Sequence, residues 1–364
     1  VIDGHGFMAT PFARAGELSD RLGFSGAGGV WVKDETGNVS GSHKARHLFG
    51  VLLYLSVLER LGRAERRELA IASCGNAALA AAVLAAAAAR PLRVFVPLDA
   101  DPVILERLER LGGWVEWCQR PRGETGDPTV HRLQGALSAG ALPFTCQGNL
   151  NGLAVEGGET LGWEIASSGV AIDRLVVQVG GGALASACVE SLREAAQLGA
   201  IAASPRIDTV QTEGAWPLKR AFDAVVAHPG GVRYAARHRS EFMWPWEREP
   251  HSVAHGILDD ETYDWLAVVE GMLATGGRPV VVGEEVLRAA NDAAWDTTGI
   301  DVDHTGSAGL AGLIALRDAG EVGDDEKVAL LYTGVVRTHA DTERKTDEKL
   351  SRPRHPVAEG LRAR

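Results

Sequence analysis

The sequence has few cysteines, no long apolar run and no block of like charge, and each absence excludes something. Its four cysteines, Cys74, Cys118, Cys146 and Cys188, lie far apart in the chain. They form no C-x-x-C pair and have no histidine at zinc-ligand spacing, so no metal site and no disulfide framework is expected. The longest apolar tract, residues 77–89, is alanine-rich and shorter than the roughly 20 residues that span a bilayer; it reads as a buried helix. Acidic side chains number 48 against 37 basic ones, a formal net charge of -11. With no cluster of basic residues to grip phosphate backbones or anionic lipid, nucleic-acid and membrane partners are not expected. The chain opens at Val1 without a signal-peptide pattern, and a cytoplasmic location is the expectation.

What is present is a long chain that can bury a large core. At 364 residues and 45% hydrophobic composition, two domains or one large α/β unit is expected. Short β-branched runs at 28–35, 68–73, 92–97, 114–118, 174–180, 207–214 and 327–334 predict strands. Between them, 44–62, 76–90, 101–112, 150–168, 183–198 and 284–298 follow the helical period. Strand and helix in alternation predict an α/β fold of mainly parallel sheets with helices on both faces. Residues 225–268, rich in His, Trp, Pro and Arg, interrupt this rhythm and are expected to form a lid or an interface. The polar stretch from Arg337 onward is given no catalytic role.

Three strand-to-helix junctions carry chemistry-bearing residues, and open α/β sheets bind ligands at such junctions. In "GNVSGSHKARH" Lys44 opens a helix; in "SCGNAALAA" Ser73, Cys74, Gly75 and Asn76 lead into the alanine-rich helix; in "VVQVGGGALASA" Gly180, Gly181 and Gly182 open another. Backbone N–H groups at such helix starts bind anions. Each feature alone has a plain reading: a solvated lysine, a cap, a tight turn. The glycines also satisfy the weak dinucleotide pattern G-x-G-x-x-A, with Glu213 as the acidic residue that would bind ribose. Together and in this order, however, they supply an amine to trap an aldehyde, a grip on a carboxylate and a cradle for a phosphate.

At this point the chain resembles the fold type II pyridoxal-phosphate family, which includes serine and threonine dehydratases, threonine synthase, cysteine synthase and the tryptophan synthase β subunit. "KDETGNVSGSHKAR", "SCGNA", "GGGAL", "AVEGGETLGWEI", "GIDVDHTGSAGLAGL" and "LLYTGV" carry the resemblance, which runs from Thr10 to about Gly334. It implies that Lys44 forms the Schiff base with pyridoxal 5'-phosphate, that Asn76 bonds the cofactor's 3-hydroxyl, and that Ser73, Cys74, Gly75, Asn76 and Ala77 hold the substrate carboxylate. Gly180, Gly181, Gly182, Ala183 and Leu184 would hold the phosphate, and Thr333 would face the pyridine nitrogen. Departures from the family pattern include His43 in place of phenylalanine, where it would touch the phosphate or only pack, Ala45 in place of an aspartate common in threonine synthases, and Asp303 in place of glutamate. Cys74 stands where hydroxyls or alanine are usual, as a proton donor on the second face or as a small buried residue.

The resemblance further implies two α/β domains, 1–44 with 151–364 as the larger and 45–150 as the smaller, an amino-acid substrate, and a homodimer. The expected chemistry is elimination from a small hydroxy amino acid such as serine or threonine. The alternatives are γ-replacement on O-phosphohomoserine, another β-replacement, or racemisation. A catalytically silent binding module is the rival of another class.

Overall fold

The computed structural model describes residues 5–119 and 127–337. Ten strands form in chain order: β1 (Phe12–Arg14), β2 (Gly29–Asp34), β3 (Leu69–Ala72), β4 (Leu92–Pro97), β5 (Trp114–Cys118), β6 (Leu142–Pro143), β7 (Arg174–Gln178), β8 (Arg206–Thr212), β9 (Pro279–Val282) and β10 (Lys327–Tyr332). All seven expected strands are there, most of them shorter at the ends than their apolar runs. The three that the pattern did not predict are two to four residues long, and two of them contain a proline, so no period was available to read.

The strands build two sheets. One has the order β1-β2-β10-β7-β8-β9, parallel except for β1, and the other β5-β4-β3-β6, parallel throughout. The last strand, β10, inserts between β2 and β7, with Val328 paired to Val30 on one side and Arg174 on the other. Every residue of β7 is buried, as is β10 from Val328 to Tyr332, because helices cover both faces of a parallel sheet. The smaller sheet has its own core, which gathers Leu69, Ile71, Val94 and Phe144 with the alanine-rich helix Asn76–Ala87. This helix is apolar all round, as a fully buried helix must be. No helix among the described residues is long and apolar enough to cross a membrane.

One helix crossing sets the position of the chemistry. Helix Lys44–Arg60 lies against helix Leu153–Ala166 with glycine facing glycine: a Cβ on Gly50 would stand 2.8 Å from Gly157 Cα, and one on Gly157 2.5 Å from the Arg46 carbonyl oxygen. Any side chain at either point would force the helices apart.

The stretch 225–268 is not structureless. It holds the short helices Gly231–Ala235 and Arg239–Phe242 and a 3-10 turn, His255–Ile257, before helix Trp265–Thr275. Buried Phe242 and Met243 anchor it in the core of the larger sheet. The rings of His228, Tyr234 and His238 stack at 4.2 and 3.8 Å between centroids.

Candidate active site

A cavity of about 610 Å³ opens between the two sheets, and the residues that the resemblance assigns to cofactor and substrate line it: His43, Lys44, Ser73 to Ala77, Gly180 to Leu184 and Thr333. The reason is topological. Lys44, Ser73, Gly180 and Thr333 all follow the carboxyl ends of parallel strands, where β2, β3, β7 and β10 converge.

Lys44 is the first residue of its helix. The turn before it is held by Asn38, whose side chain accepts from the Val39 N–H, and Ser40 takes a left-handed φ of 61°. Below the lysine lies a buried ion network. Arg46 donates to Glu35 through Nε (2.8 Å) and Nη2 (2.9 Å), and to Glu164 through Nη1 (2.7 Å) and Nη2 (2.9 Å). Lys33 Nζ also reaches Glu164, at 2.5 Å. Charge-assisted bidentate bonds of this kind fix direction as well as distance, so the first turn of the Lys44 helix has one orientation. His43 is a neutral member of this region: burial, then the charge of Lys44 and the neighbouring His47, hold its pKa well below the ordinary value. Its Nδ1–H donates to the Thr333 carbonyl oxygen at 3.1 Å, so it brings no positive charge to a phosphate.

Opposite, the turn Ser73–Gly75 runs from β3 into helix Asn76–Ala87, whose first N–H groups have no acceptor within the helix. Asn76 Nδ2 lies 3.5 Å from Asp303 Oδ2, and burial raises the Asp303 pKa. Cys74 is partly buried against the core of the smaller sheet. Burial first, then the carboxylate of Asp99, raise its pKa, so at neutral pH it is a thiol that can donate a proton.

The glycine loop leaves β7 and enters helix Ala183–Gln197 through Gly182 at φ 97°, a conformation that glycine adopts without strain. The stretch 257–264 covers it closely: Thr262 Oγ1 donates to the Gly180 carbonyl oxygen at 2.9 Å, and the Asp264 N–H to that of Gly181 at 3.0 Å. A Cβ on Gly182 would meet Thr262 Cγ2 at 2.9 Å. The glycines are thus required by packing as well as by any ligand.

Several lining residues went unnoticed in the sequence. Gln178, at the end of β7, donates from Nε2 to the carbonyl oxygens of Gly306 (2.9 Å) and Leu331 (3.2 Å) and to Thr333 Oγ1 (2.9 Å). A polar residue inside the run "RLVVQVG" was the available signal. His255, Asp259, Tyr263 and Arg337 also line the cavity; Arg337 donates to the Ser40 carbonyl oxygen, so the polar C-terminal stretch does begin inside the site. Residues 338–364 lie outside the described residues. Glu213, by contrast, is not among the cavity-lining residues and sits beside Gly283, which removes the acidic partner that a dinucleotide site needs.

The residues present fit pyridoxal phosphate. A lysine amine, a helix start for an anion and a hydroxyl fixed by an amide share one cavity of sufficient size. The Gln178 amide is oriented by two carbonyl oxygens, so Thr333 Oγ1 is an acceptor toward it. The hydroxyl proton is therefore free to be given to a ring nitrogen.

Comparison with known proteins agrees. Residues 5–334 match the family model described as pyridoxal-phosphate dependent enzyme. A threonine synthase of Methanosarcina acetivorans is 27% identical over 328 residues, 89% of this chain and 74% of its own. One of Mycobacterium tuberculosis is 26% identical over 351 residues, 96% and 87% respectively. Among solved structures, threonine deaminase isoform 2 of Solanum lycopersicum superposes with a TM-score of 0.71 at 20% identity, covering 93% of this chain and 83% of that one. Maize serine racemase gives 0.72 at 16%, covering 94% of each. With the family model spanning both sheets and nearly all of the cavity lining, the chain belongs to the pyridoxal-phosphate-dependent enzymes of fold type II.

Proposed function

We propose that this enzyme catalyses α,β-elimination from a small hydroxy amino acid such as serine or threonine, releasing ammonia and a keto acid. Pyridoxal phosphate, when bound, supplies the electron sink that acidifies the α-carbon. Lys44 would hold it covalently, and Nζ, once released by the incoming substrate amine, would be a free amine placed to take the α-proton as general base. The N–H groups from Ser73 to Ala77 hold the substrate carboxylate, and those from Gly180 to Leu184 face the phosphate. Residues 45–150 form the smaller of two domains in this reading.

The observation that carries the proposal is the bond from Gln178 Nε2 to Thr333 Oγ1. A hydroxyl that donates to the ring nitrogen leaves it unprotonated, unlike a carboxylate, and the weaker sink suits elimination and replacement better than transamination. Charge supports the choice of substrate. Asp99 and Asp101 line the cavity against Lys44 and Arg337, which leaves no excess of positive charge to draw a phosphate ester and suits a neutral hydroxyl.

The curated relatives favour a second reading, γ-replacement on O-phosphohomoserine, because those quoted above are named threonine synthases. Purified protein is to be offered L-serine, L-threonine and O-phosphohomoserine, with keto acid, ammonia, phosphate and threonine measured. Keto acid and ammonia from serine or threonine are expected. Threonine and phosphate from O-phosphohomoserine alone would establish the second reading, and efficient amino transfer without elimination would refute both. Lys44→Ala is expected to stay folded, lose covalent cofactor and lose turnover by at least about 10²-fold.

A further inference from the structure

Asp259 brings a carboxylate against the glycine loop. In the stretch 257–264 that covers the glycine loop, its carboxylate points at the loop backbone: Oδ2 lies 2.3 Å from the position of a Cβ built on Gly180 and 3.7 Å from one on Gly181. The Gly181 N–H and the charge of Lys44 both stabilise its ionised form, while burial, Asp260 and Asp127 oppose it. Tyr263, on the same stretch, has its ring 3.0 Å from the Gly181 Cβ position. Both ends of the stretch are tied down, by Gly256 N–H to Thr305 Oγ1 at 3.0 Å and by Gly148 N–H to Asp264 Oδ2 at 3.1 Å. The backbone of the stretch is thus fixed over the loop at both ends, and the Asp259 side chain reaches the loop from it.

We propose that Asp259 is a built-in competitor of the cofactor phosphate: its carboxylate lies at the Gly181 N–H, one of the glycine-loop groups that would hold the phosphate, and a bound dianion requires it to be protonated or turned away. This rests on the pyridoxal-phosphate reading of the site. Two anions at one N–H group in a partly buried cavity repel strongly, so dianion binding and ionisation of Asp259 are opposed. Burial raises the Asp259 pKa to about 6, which puts the switch near neutral pH. The sign follows: above pH 6 the carboxylate is charged and competes, and as pH falls through 6 it takes a proton and the competition ends. Dianion binding then takes up one proton, and affinity rises roughly tenfold for each pH unit lowered above pH 7 and levels off below pH 6.

The test uses the full chain stripped of cofactor, with sulfate as the probe because its charge does not change between pH 5.5 and 8. Sulfate affinity is read from the rise of the melting temperature with sulfate concentration. Wild type is expected to bind sulfate roughly fiftyfold more tightly at pH 6 than at pH 8, whereas Asp259→Asn is expected to bind with affinity constant to within about twofold over that range. A pH-independent wild type overturns the proposal without recourse to any variant, and so does an unchanged pH dependence in Asp259→Asn. Pyridoxal, which lacks the phosphate, provides the second arm: reduced onto the protein with borohydride, it is expected to label Lys44 equally in wild type and Asp259→Asn. Pyridoxal phosphate is expected to label Asp259→Asn at lower concentration than wild type at pH 8, and equal concentration dependence overturns the competition. Labelling of Lys44 by pyridoxal with no pH effect on sulfate sinks the Asp259 inference alone. No labelling of Lys44 by either aldehyde sinks the cofactor reading itself.

Discussion

Replacing Arg46 by methionine tests whether the ion network beneath Lys44 holds the site together. The guanidinium makes two bonds to Glu35, whose side chain is wholly buried, two to Glu164, and one each to Thr160 Oγ1 and Thr10 Oγ1 at 3.1 Å. Methionine fills much of the same volume but leaves buried Glu35 without its guanidinium partner, with Asn38 Nδ2 (2.7 Å) and Thr10 Oγ1 (2.5 Å) as the remaining side-chain donors among the described residues. Removing one partner of a buried ion pair costs about 3–5 kcal/mol, a large share of the 5–15 kcal/mol typical of a folded domain. With a urea dependence of roughly 3 kcal/mol/M, the unfolding midpoint falls by more than about 1 M. Urea unfolding of wild type, Arg46→Met and the double variant Arg46→Met, Glu35→Gln, all in the same cofactor state, measures this. The double variant is expected to recover at least half of the loss, because glutamine removes the uncompensated charge. A loss below about 1 kcal/mol in the single variant, or strict additivity in the double, would refute the account. Lys44 lies two residues before Arg46 on the same turn, so Arg46→Met is also expected to slow covalent capture of pyridoxal phosphate.

Two further outcomes follow from the site. Hydrogen bonds from Arg46 and Lys33 overcome burial and lower the Glu164 pKa from 4.5 to about 2; its folded value is depressed, so its contribution is present above pH 4.5 and lost as pH falls toward 2. Stability measured between pH 5 and 2.5 is expected to fall less steeply in Glu164→Gln than in wild type, and identical slopes would remove Glu164 from the acid response. Cys74→Ala is expected to abolish solvent-deuterium exchange on the second face of the α-carbon and any racemisation, with elimination nearly intact. Unchanged deuterium incorporation would leave the thiol as packing only.

The alternation of β-branched and alanine- or leucine-rich segments was enough to establish a parallel α/β fold, because strands buried on both faces and helices that cover them have local periods that a sequence displays. Lys44, the Ser73–Ala77 turn, the glycine loop and Thr333 were legible for the same reason: each lies where a strand ends, and such ends are marked by small and polar residues beside apolar runs. The placement of β10 between β2 and β7 was not legible, since strand order depends on which surfaces meet after collapse. Nor were the partners of the site. Gln178 finds Thr333 at a separation of 155 residues, and Arg46 finds Glu164 at 118. Asp259, in a stretch with no period, reaches the glycine loop only because Thr262 and Asp264 fasten that stretch over it. Local pattern thus determined most of the strands and the strand ends that face the cavity. Only the tertiary structure decided which charges face one another, because a polar side chain acquires its chemistry from neighbours that the linear chain holds far away.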